Sequence, residues 1–136
     1  MMIRISSATA AIMAQAIADA FDAGAGAGYW DFYTGPMPAT PAAAITTQTK
    51  LGTVTLSDPC ATVSGGTITF APITQDNSAD AAGDAVFVRG FDSEGNTVAD
   101  FDVGNQASDA FVKMNTVTVI EGGPIMVETA VLTVGV

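Results

Sequence analysis

The sequence predicts a mainly β protein, with one N-terminal α-helix followed by an antiparallel β-sandwich or barrel-like domain of about seven or eight strands. Three observations predict it. Apolar residues recur at helical spacing only between about Ser7 and Ala23. From Tyr29 onward the pattern has period two, in short runs bounded by Gly, Pro, Asn and Asp. No helical segment separates those runs, which argues against a parallel βαβ architecture.

The helix has Ser6 and Ser7 as candidate N-caps, whose hydroxyls accept from the free N–H groups of the first turn. Ala10, Met13, Ile17 and Phe21 fall on one face, and Gln15, Asp19 and Asp22 on the opposite one. Ile12 breaks the pattern by projecting to the polar side. Gly24 is placed to end the helix in a left-handed conformation. The run Gly24-Ala25-Gly26-Ala27-Gly28 predicts a flexible connection. Residues 1–28 thus form an N-terminal segment and 29–136 a β domain, together one compact unit.

The β region opens on Tyr29–Thr34, with Trp30 and Phe32 on one face. A loop containing Pro36, Pro38 and Pro41 follows, since proline cannot donate to a sheet ladder. Ile45–Leu56 predicts a strand broken or bulged near Gly52, ended by Asp58-Pro59. Ser64-Gly65-Gly66 marks a turn before a strand from Thr67 to Pro72, and Gln75–Asp84 a polar loop. Ala85–Phe91 and Thr97–Val103 form a hairpin around Asp92-Ser93-Glu94-Gly95-Asn96. Phe111–Glu121 and Met126–Val134 supply the remaining strands.

Only 13% of the residues are charged, about half the globular average of ~25%. Hydrophobic residues make up 49%, so much of the surface is expected to be covered, and a homo-oligomer is expected. The net charge is −10. The basic residues Arg4, Lys50, Arg89 and Lys113 are scattered, which argues against direct nucleic-acid binding and against anionic membranes. Gln15, Asp19 and Asp22 interrupt the first apolar stretch, so it reads as a soluble helix rather than a secretory signal.

There is no histidine, which removes the usual general base and the usual zinc ligand. The single cysteine, Cys60, reads as a small apolar filler. Asp76, Asp80 and Asp84 offer oxygen ligands of the kind calcium takes, but without EF-hand spacing. Asp92 and Glu94 fall in a turn, and Asp100 and Asp102 alternate with Phe101 and Val103 as on the wet face of a strand. Neither pair reads as the two carboxylates of a glycosidase. Tyr29, Trp30, Phe32 and Tyr33 offer a sugar-stacking platform or, more simply, core and interface packing. The expectation is a protein that is not an enzyme and has no cofactor and no metal.

The stretch Met2-Ile3-Arg4-Ile5-Ser6-Ser7-Ala8-Thr9-Ala10, running on through Ile17 and Asp22–Gly26, resembles a family of small structural proteins of tailed phages and prophages. The likeness continues at Tyr33-Thr34-Gly35, Leu56–Pro59, Thr74, Ser78–Gly83, Phe91–Val98 and Leu132–Val134, nearly the whole chain. Cys60, the Tyr29-Trp30 pair and the acidic hairpin depart from the common pattern. The resemblance implies a virion protein, and foremost a capsid decoration, or cement, protein on the capsid surface. Its implied partners are the phage's major capsid protein and further copies of itself, with a trimer favoured. A tail, neck or baseplate subunit is the first alternative, and a glycan-binding β-sandwich module the second. The expected partner-contact residues are Ile3, Arg4, Ile12, Tyr29 and Trp30.

Overall fold

A computed structural model describes residues 2–134. Helix α1 (Ser7–Phe21) is followed by β1 (Tyr29–Tyr33), β2 (Lys50–Thr55), β3 (Ala61–Ser64), β4 (Thr67–Phe70), β5 (Gly83–Asp84), β6 (Phe87–Phe91), β7 (Thr97–Asn105), β8 (Val112–Met114), β9 (Thr118–Val119) and β10 (Thr129–Thr133). Eight strands form one sheet in the order β2-β1-β6-β7-β8-β10-β4-β3, and β5 and β9 pair separately. The large sheet curves into a half-barrel. The barrel-like expectation therefore holds, with one departure: β8 runs parallel to β7, so the sheet is mixed.

Helix α1 packs against β3, β4 and β7. Ser6 caps it, its Oγ accepting from Thr9 N–H at 3.0 Å. The buried face is Ala10, Ala14, Ala18 and Phe21. The expected stripe through Met13 is corrected: Met13 is 46% exposed. A row of alanines at i, i+4 and i+8 lets the helix axis approach the sheet closely, which a methionine in the same row would prevent. Phe21 ends the helix as an aromatic plug, its ring centroid 6.2 Å from Trp30, 5.8 Å from Phe70 and 6.0 Å from Phe101. Phe111 completes the cluster, 5.9 Å from Trp30 and 4.4 Å from Phe101. Gly90 makes room for the plug: a methyl group there would sit 2.5 Å from the Phe21 ring.

The Gly-Ala connection is pinned rather than flexible. Gly24 has φ +92°, Gly26 N–H donates to Ser93 Oγ, and Gly28 O accepts from Leu56 N–H at 3.0 Å. Gly28 is buried, and a Cβ there would lie 2.6 Å from Phe91 O and 2.8 Å from Phe21 O. The helix and the β region consequently share one core, with Ala18 and Phe21 beside Trp30, Val54 and Val88.

Strand boundaries differ from expectation where side chains, rather than period, decide. Residues 45–49 form no strand, and the expected irregularity near Gly52 is a register shift in which Phe32 pairs with Gly52 and Tyr33 with Lys50. The Ala61–Ser64 strand is additional, paired to β4 through Gly65-Gly66. The expected single strand from Phe111 to Glu121 is two, β8 and β9, in different sheets. Thr116 Oγ1 accepts from Thr118 N–H at 3.2 Å and turns the chain between them.

The Asp92 turn forms as predicted, and its chemistry is explicit. Asp92 Oδ1 accepts from Glu94 N–H and Asn96 N–H, both at 2.9 Å, and Oδ2 from Asn96 Nδ2 at 3.0 Å. The Asn96 side-chain donor, followed by the backbone donors, holds the Asp92 carboxyl below the usual aspartate range. A depressed folded-state pKa stabilises the fold above the ordinary value of about 3.9, and this is lost as pH falls through the folded-state pKa. An NMR titration of the Asp92 carboxyl is expected to show a midpoint below that ordinary value. In Asp92→Asn the corresponding part of the acid-induced loss of stability should vanish, and an unchanged acid profile would count against the assignment.

Candidate interaction surface

The polar side chains of the sheet are bound into the fold. On the face of β1 and β6 opposite Trp30 and Phe32, the pairings Thr53↔Asp31, Asp31↔Arg89 and Arg89↔Asp100 set one polar row across four strands. Arg89 Nε donates to Asp100 Oδ1 at 2.8 Å and Nη2 to Oδ2 at 2.9 Å, a bidentate pair. Nη1 donates to Ala43 O at 2.7 Å and Nη2 also to Thr40 O at 3.4 Å. The bond to Asp100 raises the Arg89 pKa further above its already high value. The wet-face expectation for Asp100 is thus corrected: its side chain is 5% exposed, because the Pro loop folds over it.

Several of the remaining carboxylates are also occupied. Asp76 Oδ2 accepts from Thr53 N–H at 3.0 Å and Oδ1 from Ser78 N–H at 2.9 Å. Asp84 Oδ1 accepts from Thr118 Oγ1. Asp102 Oδ1 accepts from Phe111 N–H at 2.8 Å. Among the described residues, no three of Cys, Asp and Glu come together as a metal-holding group. Cys60 is fully buried, with Sγ 3.5 Å from Ala18 O. Burial, reinforced by Asp22, pushes its thiol up to about 12, so it is a packed group rather than a nucleophile.

The aromatic platform is not at the surface. Trp30 is fully buried, and among the described residues its Nε1 is a buried donor without a hydrogen-bond partner. Tyr29 is half-buried and stacks on Phe91 at 5.0 Å, as Tyr33 does on Phe87 at 5.2 Å. The expectation of a partner contact through Trp30 is therefore corrected, because Phe21 from the helix and Phe70, Phe101 and Phe111 close over its face of the sheet. A sugar has no access to that indole ring.

What the surface does present is apolar. Ile12 is 71% exposed at the centre of the outward face of α1, flanked by Ala8, Ala16 and Met13. Met2 and Ile3, 78% and 75% exposed, precede the helix with exposed Arg4 in an arm without regular structure. The same outward face carries exposed Gln15 and Asp19, with Gln15 Nε2 donating to Asp19 Oδ1 at 2.9 Å, so Ile12 stands as a large apolar side chain between small residues and a polar pair. Of the expected contact residues, Ile3, Arg4 and Ile12 are exposed; Met13 is exposed as well, although an ideal apolar stripe placed it inward. Among the described residues, no helix is long and apolar enough to cross a membrane.

Fold and surface together define a half-barrel plugged by an aromatic-tipped helix, with an exposed Ile12 on the outer helix face of an acidic chain. Comparison with known proteins gives no match: no family model fits the chain, and no curated protein or solved structure is similar to it.

Proposed function

We propose that the chain is a structural component of a phage particle, specifically a capsid decoration protein that binds the assembled head through the outward face of α1. The observation that carries this reading is the 71% exposed Ile12, bordered by Met13, Ala8 and Ala16 and beside the Gln15–Asp19 pair, on a protein of net charge −10. Apolar contact supplies affinity there, and the acidic surroundings favour a basic partner surface. A protein that binds only the assembled shell stabilises that state by mass action. Many symmetric copies multiply a modest contact energy. The resemblance of the Met2–Ala10 segment and the hairpin to phage structural proteins points the same way. Such a role needs no catalytic group, and the engaged carboxylates and buried Cys60 suit it.

The test is electron microscopy of purified particles together with cosedimentation of the chain with assembled shells. Density on the head surface is expected, and Ile12→Asp should abolish cosedimentation while leaving the circular dichroism spectrum unchanged. Location in the tail, neck or baseplate would replace the decoration reading with the first alternative.

A further inference from the structure

The two edges of the half-barrel are treated differently. At β2 the outward groups are taken: Thr55 and Thr74 exchange N–H···O bonds of 3.1 and 2.8 Å, Thr53 N–H reaches Asp76, and Leu51 O accepts from Asp80 N–H at 2.7 Å. At β3 they are not. The Ser64↔Thr67 pair closes the Gly65-Gly66 turn, and Ala71 N–H donates to Cys60 O. That phase directs the backbone groups of Thr62 and Ser64 to β4 and those of Ala61 and Val63 outward. Among the described residues nothing pairs with them. An open strand edge is a template for another strand.

The same chain carries a segment suited to it. Met2–Ser6 has no regular structure, and its two β-branched residues, Ile3 and Ile5, alternate with Met2, Arg4 and Ser6. On β3, Ala61 and Val63 face the core while Thr62 and Ser64 are exposed. An antiparallel arm with Ile5 opposite Ala61 and Ile3 opposite Val63 extends that inner apolar row. It makes about four ladder bonds and sets Arg4 beside Thr62 on the wet face. The arm's own copy is poorly placed to provide this register. Ala10 packs under Gly66, so the helix begins at the Gly65-Gly66 end of β3, and Ala61 lies roughly 13 Å away along the strand. A chain of net charge −10 also gains by receiving Arg4.

We infer that the Met2–Ser6 arm of one copy adds as an antiparallel strand to the β3 edge of a second copy. Each copy carries both the arm and the edge, so the assembly closes either as an isologous reciprocal pair or as a heterologous ring. It does not rest on the virion reading and concerns the protein alone in solution.

The experiment mixes Arg4→Cys chains with Thr62→Cys chains under mild oxidation and maps linkages by mass spectrometry; both positions are exposed, and Cys60 is buried. A 4–62 link between different chains is expected, as is a multimeric mass for the unmodified chain in light scattering. The double variant I3P/I5P removes the arm's two donors and should give a monomer with an unchanged circular dichroism spectrum. Val63→Pro, which removes an outward donor without touching the β4 ladder, should do the same. A monomeric unmodified chain at micromolar concentration, the absence of the interchain link, or an oligomer that persists in both proline variants would each overturn the inference.

Discussion

Trp30→Ala is expected to lower the unfolding free energy by about 3–5 kcal/mol, a large part of the ~5–15 kcal/mol that holds a domain together. The indole is fully buried and touches Phe21, Phe70, Phe101 and Phe111, which come from the helix, β4, β7 and the segment before β8. Its removal leaves a cavity that four differently anchored rings cannot collapse into together. Trp30→Phe should cost less, below about 2 kcal/mol, because it also deletes a buried N–H that has no partner. Urea unfolding followed by circular dichroism measures both, since the variants lose the only tryptophan fluorophore. A cost below about 1 kcal/mol for the alanine variant would mean that the cluster is not the centre of the core.

Asp100→Asn is the second change expected to be severe, at about 3–5 kcal/mol, because it leaves the Arg89 charge buried without its counterion. Both side chains are almost wholly enclosed. Replacing the pair together, as Arg89→Met with Asp100→Leu, should cost far less than the single change, since two desolvated charges disappear with their mutual attraction. The Lys50–Asp31 contact at 3.6 Å, in which the lysine is 45% exposed and Asp31 keeps its bond from Thr53 Oγ1, serves as the control: Lys50→Ala should cost less than about 1 kcal/mol. A double-mutant cycle on Arg89 and Asp100 showing no coupling would remove the pair from the account of stability.

Features governed by local chemistry were legible in the sequence. Ser6 announced the helix start, Asp92–Asn96 announced the hairpin, and Trp30 and Phe32 shared a face because strand side chains alternate. What depends on distant partners was not legible. Arg89 and Asp100 lie on neighbouring strands, and only the strand register and the overlying Pro loop turn a solvent-facing aspartate into a buried one. The parallel placement of β8 beside β7 follows from the Asn105–Ala110 connection, where Ser108 N–H returns to Asn105 O, and no period in the sequence encodes that. The helix misled for a related reason. Side-chain size ranks Met13 above Ala14 as a core residue, whereas the sheet selects the narrower face. On the surface, Ile12 stood out as an exception to the pattern, while the full enclosure of Trp30 depends on Phe21, Phe70, Phe101 and Phe111, which reach it from distant parts of the chain.

The closure of β2 bears on how this protein avoids fibres. An endless cross-chain sheet needs two receptive edges on every subunit, one to join the growing end and one to become it. Here the carboxylate of Asp76 and the backbone of residues 74–80 occupy one of them. Gly52 lets that carboxylate come close, since a Cβ at this position would stand 2.5 Å from Asp76 Oδ2. Each subunit is thus a chain terminator for sheet growth in one direction. An apolar, weakly charged polypeptide can accumulate at high local density without polymerising through its strands.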